Sequence, residues 1–364
     1  MIIKSVRLHR VDRRMTRSVG TSLGRAENMS GYVVQIDTDD GRTGIGWAHE
    51  SYFIAGETAA SIRSVIEEVI SPVLIGRHAQ DIAALMEEIE KRLVFNYRAK
   101  AGVDMALHDL AAQAAEIPLH RLLGGALRSS VDCIRMIGLD SPDAMTGEAE
   151  ELQGRGFRHF KLKIDGKADD LERVRAVAAV MQPEGRLVLD ANQAYSPKQI
   201  IQLVNRLHDC PALAILEQPV PVHDIEGLAL VRRNVDLLVE ADEAIRTPAD
   251  ACRILERQAA DIISLKVPKM GGLYWTRKIA DLCQSVGVPN LVGANVGSCI
   301  IDLVHTHLAC SHPNITAFAC EIGESERLVT DVAEGLTIRD GRSILPERPG
   351  IGAQMNLSGS LDAA

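Results

Sequence analysis

The sequence lacks the features that would commit it to a membrane, a secretory route or nucleic acid. No apolar run approaches the roughly 18–20 residues of a membrane span. The N-terminal MIIKSVRLHRVDRRMTR has no apolar core and no cleavage pattern, so no secretory signal is expected. Cysteine is present but unpaired in pattern: Cys133, Cys210, Cys252, Cys283, Cys299, Cys310 and Cys320 are scattered with no CxxC. An odd, dispersed set reads as reduced thiols of a cytoplasmic protein, not as a zinc or disulfide framework. Basic charge is not in excess, with 40 Lys and Arg against 49 Asp and Glu and a formal net charge of −9. That balance argues against nucleic acid as the main partner, because phosphate binding needs a basic face. A small anionic substrate stays possible, since local charge decides it.

What is present is an ordinary globular composition, 46% hydrophobic and 24% charged, over 364 residues. This exceeds one ordinary core and points to two domains, or to a barrel with additions. Residues 1–11 alternate loosely as a strand, 32–37 (YVVQID) more clearly, and the turn Asp39-Asp40-Gly41 leads into a returning strand at 43–48. Between the first two lies the polar stretch 16–30. After the third comes 49–56, HESYFIAG. Both read as mobile loops, and the pair Tyr52 and Phe53 suits a lid over a site. Helical periodicity follows over 58–70, 82–93 and 99–115. His108 and His120 in this region read as packed or capping residues. Gly124-Gly125 marks a break, so residues 1–125 are expected to form an α+β capping domain.

From Ser130 the rhythm changes. Strand-like runs at 131–137, 159–163, 186–190, 212–217, 237–242, 261–266, 290–295 and 315–321 alternate with amphipathic stretches. This is the βα repeat. Eight units predict a (β/α)8 barrel over 126–325, with functional residues at the C-terminal ends of its strands. An open doubly wound sheet would carry a Gly-rich phosphate turn after its first strand, and none follows 131–137. In the tail, 326–364, runs at 336–338 and 343–345 flank Asp340-Gly341, a hairpin expected to return to the capping domain. Residues 357–364 read as a frayed end.

Five strand-like runs end on a charged residue. Lys163, Asp190, Glu217, Asp242 and Lys266 follow one another at steps of 27, 27, 25 and 24 residues, one βα unit each. Neighbouring strands lie about 4.8 Å apart, so Asp190, Glu217 and Asp242 would converge at one mouth. Three carboxylates there raise one another's pKa unless a cation neutralises them. All-oxygen ligation points to Mg²⁺, with Mn²⁺ as a substitute. Lys163 and Lys266 flank the triad as candidate bases. Lys161 shares the face of Lys163, because strand positions two apart point the same way.

These residues carry a resemblance. Lys161-Leu162-Lys163 resembles the KxK motif of the enolase superfamily. Asp190-Ala191-Asn192, Glu217-Gln218-Pro219 and Asp242-Glu243 resemble its three metal-ligand stretches, in order. The run 266–272, KVPKMGG, resembles the KxxKxGG signature of the muconate lactonizing (muconate cycloisomerase) subgroup. The stretches 99–110 and 122–125 are also similar to family sequence, so the resemblance covers nearly the whole chain. It implies an α+β cap over a modified barrel, an essential Mg²⁺ on Asp190, Glu217 and Asp242, and removal of the proton α to a carboxylate. Such sites use a Lys or His base, with Mg²⁺ stabilising the enediolate. By motif, Lys163 and Lys266 are the acid/base pair, and Lys161 holds the substrate carboxylate and lowers the pKa of Lys163.

The substrate-binding candidates are Lys161, Asn192, Asn295, Glu321 and Tyr52. Arg17 or Arg25 could hold a second anionic group. Departures narrow the choice. Gly297 stands where the subgroup often has Glu. The 320–323 run Cys-Glu-Ile-Gly stands where dipeptide epimerases place Asp-x-Asp, and Asn295 where mandelate racemases have a His base. The expectation is a Mg²⁺-dependent isomerase, a racemase or epimerase ahead of a cycloisomerase, acting on a small carboxylate. A dehydratase using the same enediolate is the alternative, and a Schiff-base aldolase a more distant one. The resemblance also implies a homo-oligomer, a dimer or an octamer.

Overall fold

The structure, a computed structural model, describes residues 1–52, 54–294 and 296–356. Phe53, Asn295 and the end 357–364 lie outside the described residues, and with them the expectations placed on them. Three long strands open the chain: β1 (Ile3–Thr21), β2 (Gly24–Thr38) and β3 (Thr43–His49), antiparallel in the order β1-β2-β3. The polar stretch 16–30 is therefore not a loop. It is the far half of a β1–β2 hairpin whose pairing breaks between Arg14 and Val19, then resumes from Val19 opposite Ala26 to Thr21 opposite Gly24. Val11, Met15 and Val19, an even number of residues apart, put buried side chains on one face.

Helix Ile82–Arg92 packs on helix Tyr97–Ala114, which in turn packs on this sheet. Strand β3 runs against the second of them at backbone contact. A Cβ at Gly44 would lie 2.2 Å from the Ala106 carbonyl oxygen, and one at Gly46 would lie 2.0 Å from that of Gly102. The Gly-x-Gly of β3 and the small residues of the helix are thus one feature. Ile3, Val34, Ile36, Ile62, Leu85 and Leu107 belong to the apolar core of this region.

Beyond it, β4 (Ser130–Asp132) precedes a curled parallel sheet: β5 (Ile134–Ile137), β6 (His159–Lys163), β7 (Arg186–Asp190), β8 (Leu213–Glu217), β9 (Leu238–Ala241), β10 (Ile262–Leu265) and β11 (Asn290–Val292). Helices alternate with these strands. Three of them start on a Ser-Pro or Thr-Pro pair, at Ser141, Ser196 and Thr247, where the hydroxyl caps free N–H groups and proline fits the first turn. Ile134, Val188, Ile215, Ile262 and Leu291 close the barrel floor.

Two expected strands differ. The run 131–137 is divided at Cys133, and its first part, β4, belongs to another sheet. The run 315–321 does not form a continuous ladder. It lies between β11 and β5, bonding at its ends: Asn290 N–H to the Asn314 carbonyl (2.9 Å), Ile134 N–H to the Cys320 carbonyl (2.7 Å) and Glu321 N–H to the Val292 carbonyl (2.8 Å). Between these ends the backbone bends at Ala317 and Phe318, and the Phe318 ring packs on His159 at 5.0 Å. The eighth position is filled by an extended segment.

In the tail, β12 (Ala333–Glu334) pairs with β15 (Gln354–Met355). Strands β13 (Ile338–Arg339) and β14 (Arg342–Ile344) form a hairpin about Asp340-Gly341, and β14 pairs with β4. Gly350 then bonds to Ile117, and the Ile351 N–H donates to Asp109 at 2.8 Å, against helix Tyr97–Ala114. His108 and His120 are buried; His108 bonds to the Asp104 carbonyl, and His120 stacks on His307 at 5.5 Å.

Candidate active site

Parallel pairing sets the charged strand ends side by side. Lys163 is level with Asp190, Asp190 with Glu217, and Glu217 with Glu240. Asp242 and Lys266 lie just past the ends of β9 and β10. All are buried. The Lys161 ammonium binds Asp190 at 2.9 Å, Glu217 at 2.7 Å and Glu321 at 2.9 Å. The Lys163 ammonium bonds to Asp190, and to Asn192 Oδ1 at 2.9 Å. On the other side Lys266 bonds to Asp242 and lies 3.5 Å from Glu217. Lys269 donates to Asp242 Oδ1 at 2.5 Å. Lys163 and Lys266 therefore stand at opposite ends of a row of carboxylates, with Lys161 between them.

Burial alone would neutralise these groups, and charge pairing opposes it. Burial raises the Asp190 carboxyl, but Lys161 and Lys163 outweigh it and hold it below the usual range. Asp242 is held well below it by Lys266 and Lys269, against the same burial. Glu217 goes the other way, raised by burial and the Asp190 charge. Burial disfavours the Lys161 ammonium, yet Asp190, Glu217 and Glu321 keep its pKa well above that of ordinary lysine. Lys266 is raised too, Asp242 overcoming burial, whereas Lys269 is lowered by burial.

Glu240 also belongs to this cluster, although it ends no strand-like run. It is fully buried, and neither carboxyl oxygen has a hydrogen-bond partner among the described residues. Burial, then the Glu321 charge, pushes it up to about 8. One oxygen each of Glu217, Glu240 and Glu321 comes within 4.8 Å of the other two. The signal was available, because Glu240 precedes Asp242 by two residues, the same spacing that joins Lys161 to Lys163.

The mouth opens into a cavity of about 510 Å³. Lys161, Lys163, Asn192, Asp242, Lys266 and Glu321 line its barrel side. Met15, Val19, Met29 and Tyr52 are among those on the cap side, where Tyr52 sits at the rim, 59% exposed. Asn192 also donates to Glu243 at 3.0 Å, and Glu321 accepts the Ala294 N–H at 2.6 Å. Arg17 is not in this wall; it pairs with Glu148 and Glu151 at 3.3 Å. Arg25 reaches the rim, but its guanidinium donates to Ser18 Oγ (2.7 Å) and the Leu139 carbonyl (3.0 Å). A cap residue not foreseen also lines the cavity, the buried Arg98, whose guanidinium contacts the ring of His49 at the end of β3.

The donor set suits a hard divalent cation. Asp190, Glu217 and Asp242 offer buried carboxylate oxygens from consecutive strands, with no thiol or imidazole among them.

Residues 4–124 match the mandelate racemase / muconate lactonizing enzyme N-terminal domain, and residues 144–359 match the enolase C-terminal domain-like model. The chain belongs to the mandelate racemase / muconate lactonizing enzyme family. Within this family it is 32% identical to the L-Ala-D/L-Glu epimerase of Bacillus subtilis over 342 residues, 93% of each chain. It is 34% identical to muconate cycloisomerase 1 of Rhodococcus opacus over 336 residues, 89% of this chain and 88% of that one. The dipeptide epimerase of Enterococcus faecalis V583, solved with Mg and L-Leu-L-Tyr, superposes with a TM-score of 0.93 at 30% identity, covering 97% of this chain and 100% of that one. Among the described residues no helix is long and apolar enough to cross a membrane.

Proposed function

We propose that this protein is a Mg²⁺-dependent racemase or epimerase that inverts the carbon α to a carboxylate through an enediolate. The observation that carries this reading is the pair of buried lysines, Lys163 on β6 and Lys266 after β10, at opposite ends of one carboxylate row. Asp190, Glu217 and Asp242 would hold the metal. Bound there, it would supply Lewis-acid stabilisation of the charge that develops on the substrate carboxylate.

The chain's own residues account for the proton. The neutral amine of one lysine takes the α-proton from one face, and the ammonium of the other returns a proton to the opposite face. Lys161, held among Asp190, Glu217 and Glu321, adds a fixed positive charge beside the developing enediolate. With the three acids engaged by a divalent cation, Lys266 would no longer face an uncompensated Asp242. That change favours the neutral amine a base requires.

The cap wall of the cavity favours an acid with an apolar body. Met15, Val19 and Met29 form part of its cap wall, and Arg17 and Arg25 are engaged elsewhere. A second carboxylate, as in a muconate, finds neither of those cations waiting. The compartment we read as cytoplasmic from the seven thiols, none of them in a disulfide.

The test is α-proton exchange in D₂O, followed by NMR, over N-acylamino acids, dipeptides and α-hydroxy acids. Exchange that needs Mg²⁺ and is lost for one antipode in Lys163→Ala and for the other in Lys266→Ala supports the reading. Exchange that persists in full in both variants contradicts it. Borohydride trapping of an adduct without Mg²⁺ dependence would replace it with Schiff-base chemistry.

A further inference from the structure

The two lysines are held differently. Lys163 is fixed within the barrel, by Asp190 and Asn192. Lys266 begins a tight loop, 266–272. In it the Lys269 and Met270 N–H groups donate to the Lys266 carbonyl (2.9 and 3.1 Å), and the Gly272 N–H donates to that of Val267 (3.0 Å). The helix Leu273–Ser285 follows directly, and its N-cap position is Gly272, which has no side chain to cap with. The missing acceptor comes from the cap domain. Asp104, fully buried on the cap helix Tyr97–Ala114, accepts the Leu273 N–H at 2.5 Å and the Tyr274 N–H at 3.4 Å.

The fit leaves no slack. Gly272 has φ +120°, and a Cβ there would lie 2.3 Å from the Asp104 carboxyl carbon. At the opposite end of the loop, the Val267 N–H donates to His305 Nε2 at 3.3 Å. The imidazole of His305 is kept neutral by burial, then by the Lys266 charge, its pKa near 3. The loop is thus pinned at both ends, by the barrel at Val267 and by the cap at Leu273.

We infer that Asp104 is a positioning residue for Lys266: a cap-domain carboxylate that caps a barrel helix in trans and so aligns one of the two acid/base lysines, leaving Lys163 independent of it. The inference rests on the two-lysine reading above. It has a consequence that a general structural role lacks. Loosening the 266–272 loop impairs proton transfer on one face only.

In D₂O the antipode served by Lys163 still exchanges. The lysine amine takes the α-proton, its two nitrogen-bound deuterons mix with it, and a deuteron returns to the same face. The other antipode loses exchange. Racemisation falls in both directions by the same factor, because the equilibrium constant fixes their ratio. A misplacement of about 1 Å is worth roughly 10²-fold in rate, so Asp104→Ala should lower racemisation and one antipode's exchange by about 10- to 100-fold.

The experiment compares Asp104→Ala, Asp104→Asn and wild type. Exchange of each antipode is followed for whichever acid pair of the panel wild type exchanges fastest, and amide hydrogen exchange is read by mass spectrometry. The expected result is one-sided loss in Asp104→Ala, recovered in Asp104→Asn, which keeps a carbonyl acceptor. The Lys269, Met270 and Gly272 amides should lose protection in the alanine variant. Equal loss from both antipodes, or no loss, overturns the inference while leaving the two-lysine reading intact. If wild type exchanges no acid, the two-lysine reading fails, and the amide data still decide the positioning: full protection of 266–272 in Asp104→Ala overturns it. Should the alanine variant not fold, Gly272→Ala, whose methyl would displace the Asp104 carboxyl, takes its place under the same criteria.

Discussion

At the barrel mouth, Lys161, Lys163, Lys266 and Lys269 interlock with Asp190, Glu217, Asp242 and Glu321 at hydrogen-bond distances, all of them buried. The β1–β2 hairpin above them presents Met15, Val19 and Met29 instead, and keeps its charges, such as Arg13, Arg14 and Arg17, on more exposed positions. One surface is fixed by charge and supports a particular reaction. The other mixes apolar side chains with a few polar ones, Arg25 and Arg98 among them, so it discriminates by fit. Changes at the mouth should alter whether the reaction occurs, and changes in the cap should alter what is accepted or how firmly the two parts hold together.

The largest effects belong to the mouth. Removing either lysine should cost about 10²–10⁴ in racemisation rate, the usual worth of a positioned acid or base, read by polarimetry or chiral chromatography. Chelation with EDTA should abolish exchange, and added Mg²⁺ should restore it. A cap-side variant such as Met29→Ala should move KM more than kcat. A kcat loss as large as that of Lys163→Ala would erase the contrast between the two regions.

The next effect concerns a buried ion-pair cluster behind the mouth. Glu324, fully buried, bonds to Arg327 and Arg135. Burial raises its carboxyl, but Arg327 and then Arg135 outweigh this and bring it down to about 2. A carboxylate depressed in the folded state lends stability above its unfolded value near 4.5 and loses it as pH falls towards 2. One pKa unit is worth about 1.4 kcal/mol, so this group should account for about 3 kcal/mol of acid sensitivity. Urea unfolding of wild type between pH 5 and 2.5 should show that slope, flattened in Glu324→Gln. Smaller still is Gly46→Ala. Its methyl would press on the Gly102 carbonyl and separate β3 from the cap helix, costing about 1–3 kcal/mol with kcat little changed.

The same contrast explains what was legible from residues alone. Asp190, Glu217, Asp242, Lys163 and Lys266 each end an apolar run at a βα spacing, so their place side by side at one mouth follows from counting. Glu240 ends nothing and was passed over, although it shares a face with Asp242. The hairpin was hidden because Val11, Met15 and Val19 are diluted by arginines and glycines, and a two-residue period over so polar a stretch resembles a loop. The segment 315–321 has the sequence of a strand, but it pairs only at its ends. Arg98, His49 and Asp104 act across domains, a relation that no local pattern encodes. Asp104 lies in an Ala-rich run whose evident role is packing.

The central claim is that Lys163 and Lys266 serve opposite faces of one α-carbon. The direct measurement is deuterium exchange of each separated antipode by Lys163→Ala and Lys266→Ala, with Mg²⁺ present. Each variant should exchange one antipode only, and the two should differ in which. Exchange of the same antipode by both, or of both antipodes by either, would contradict it.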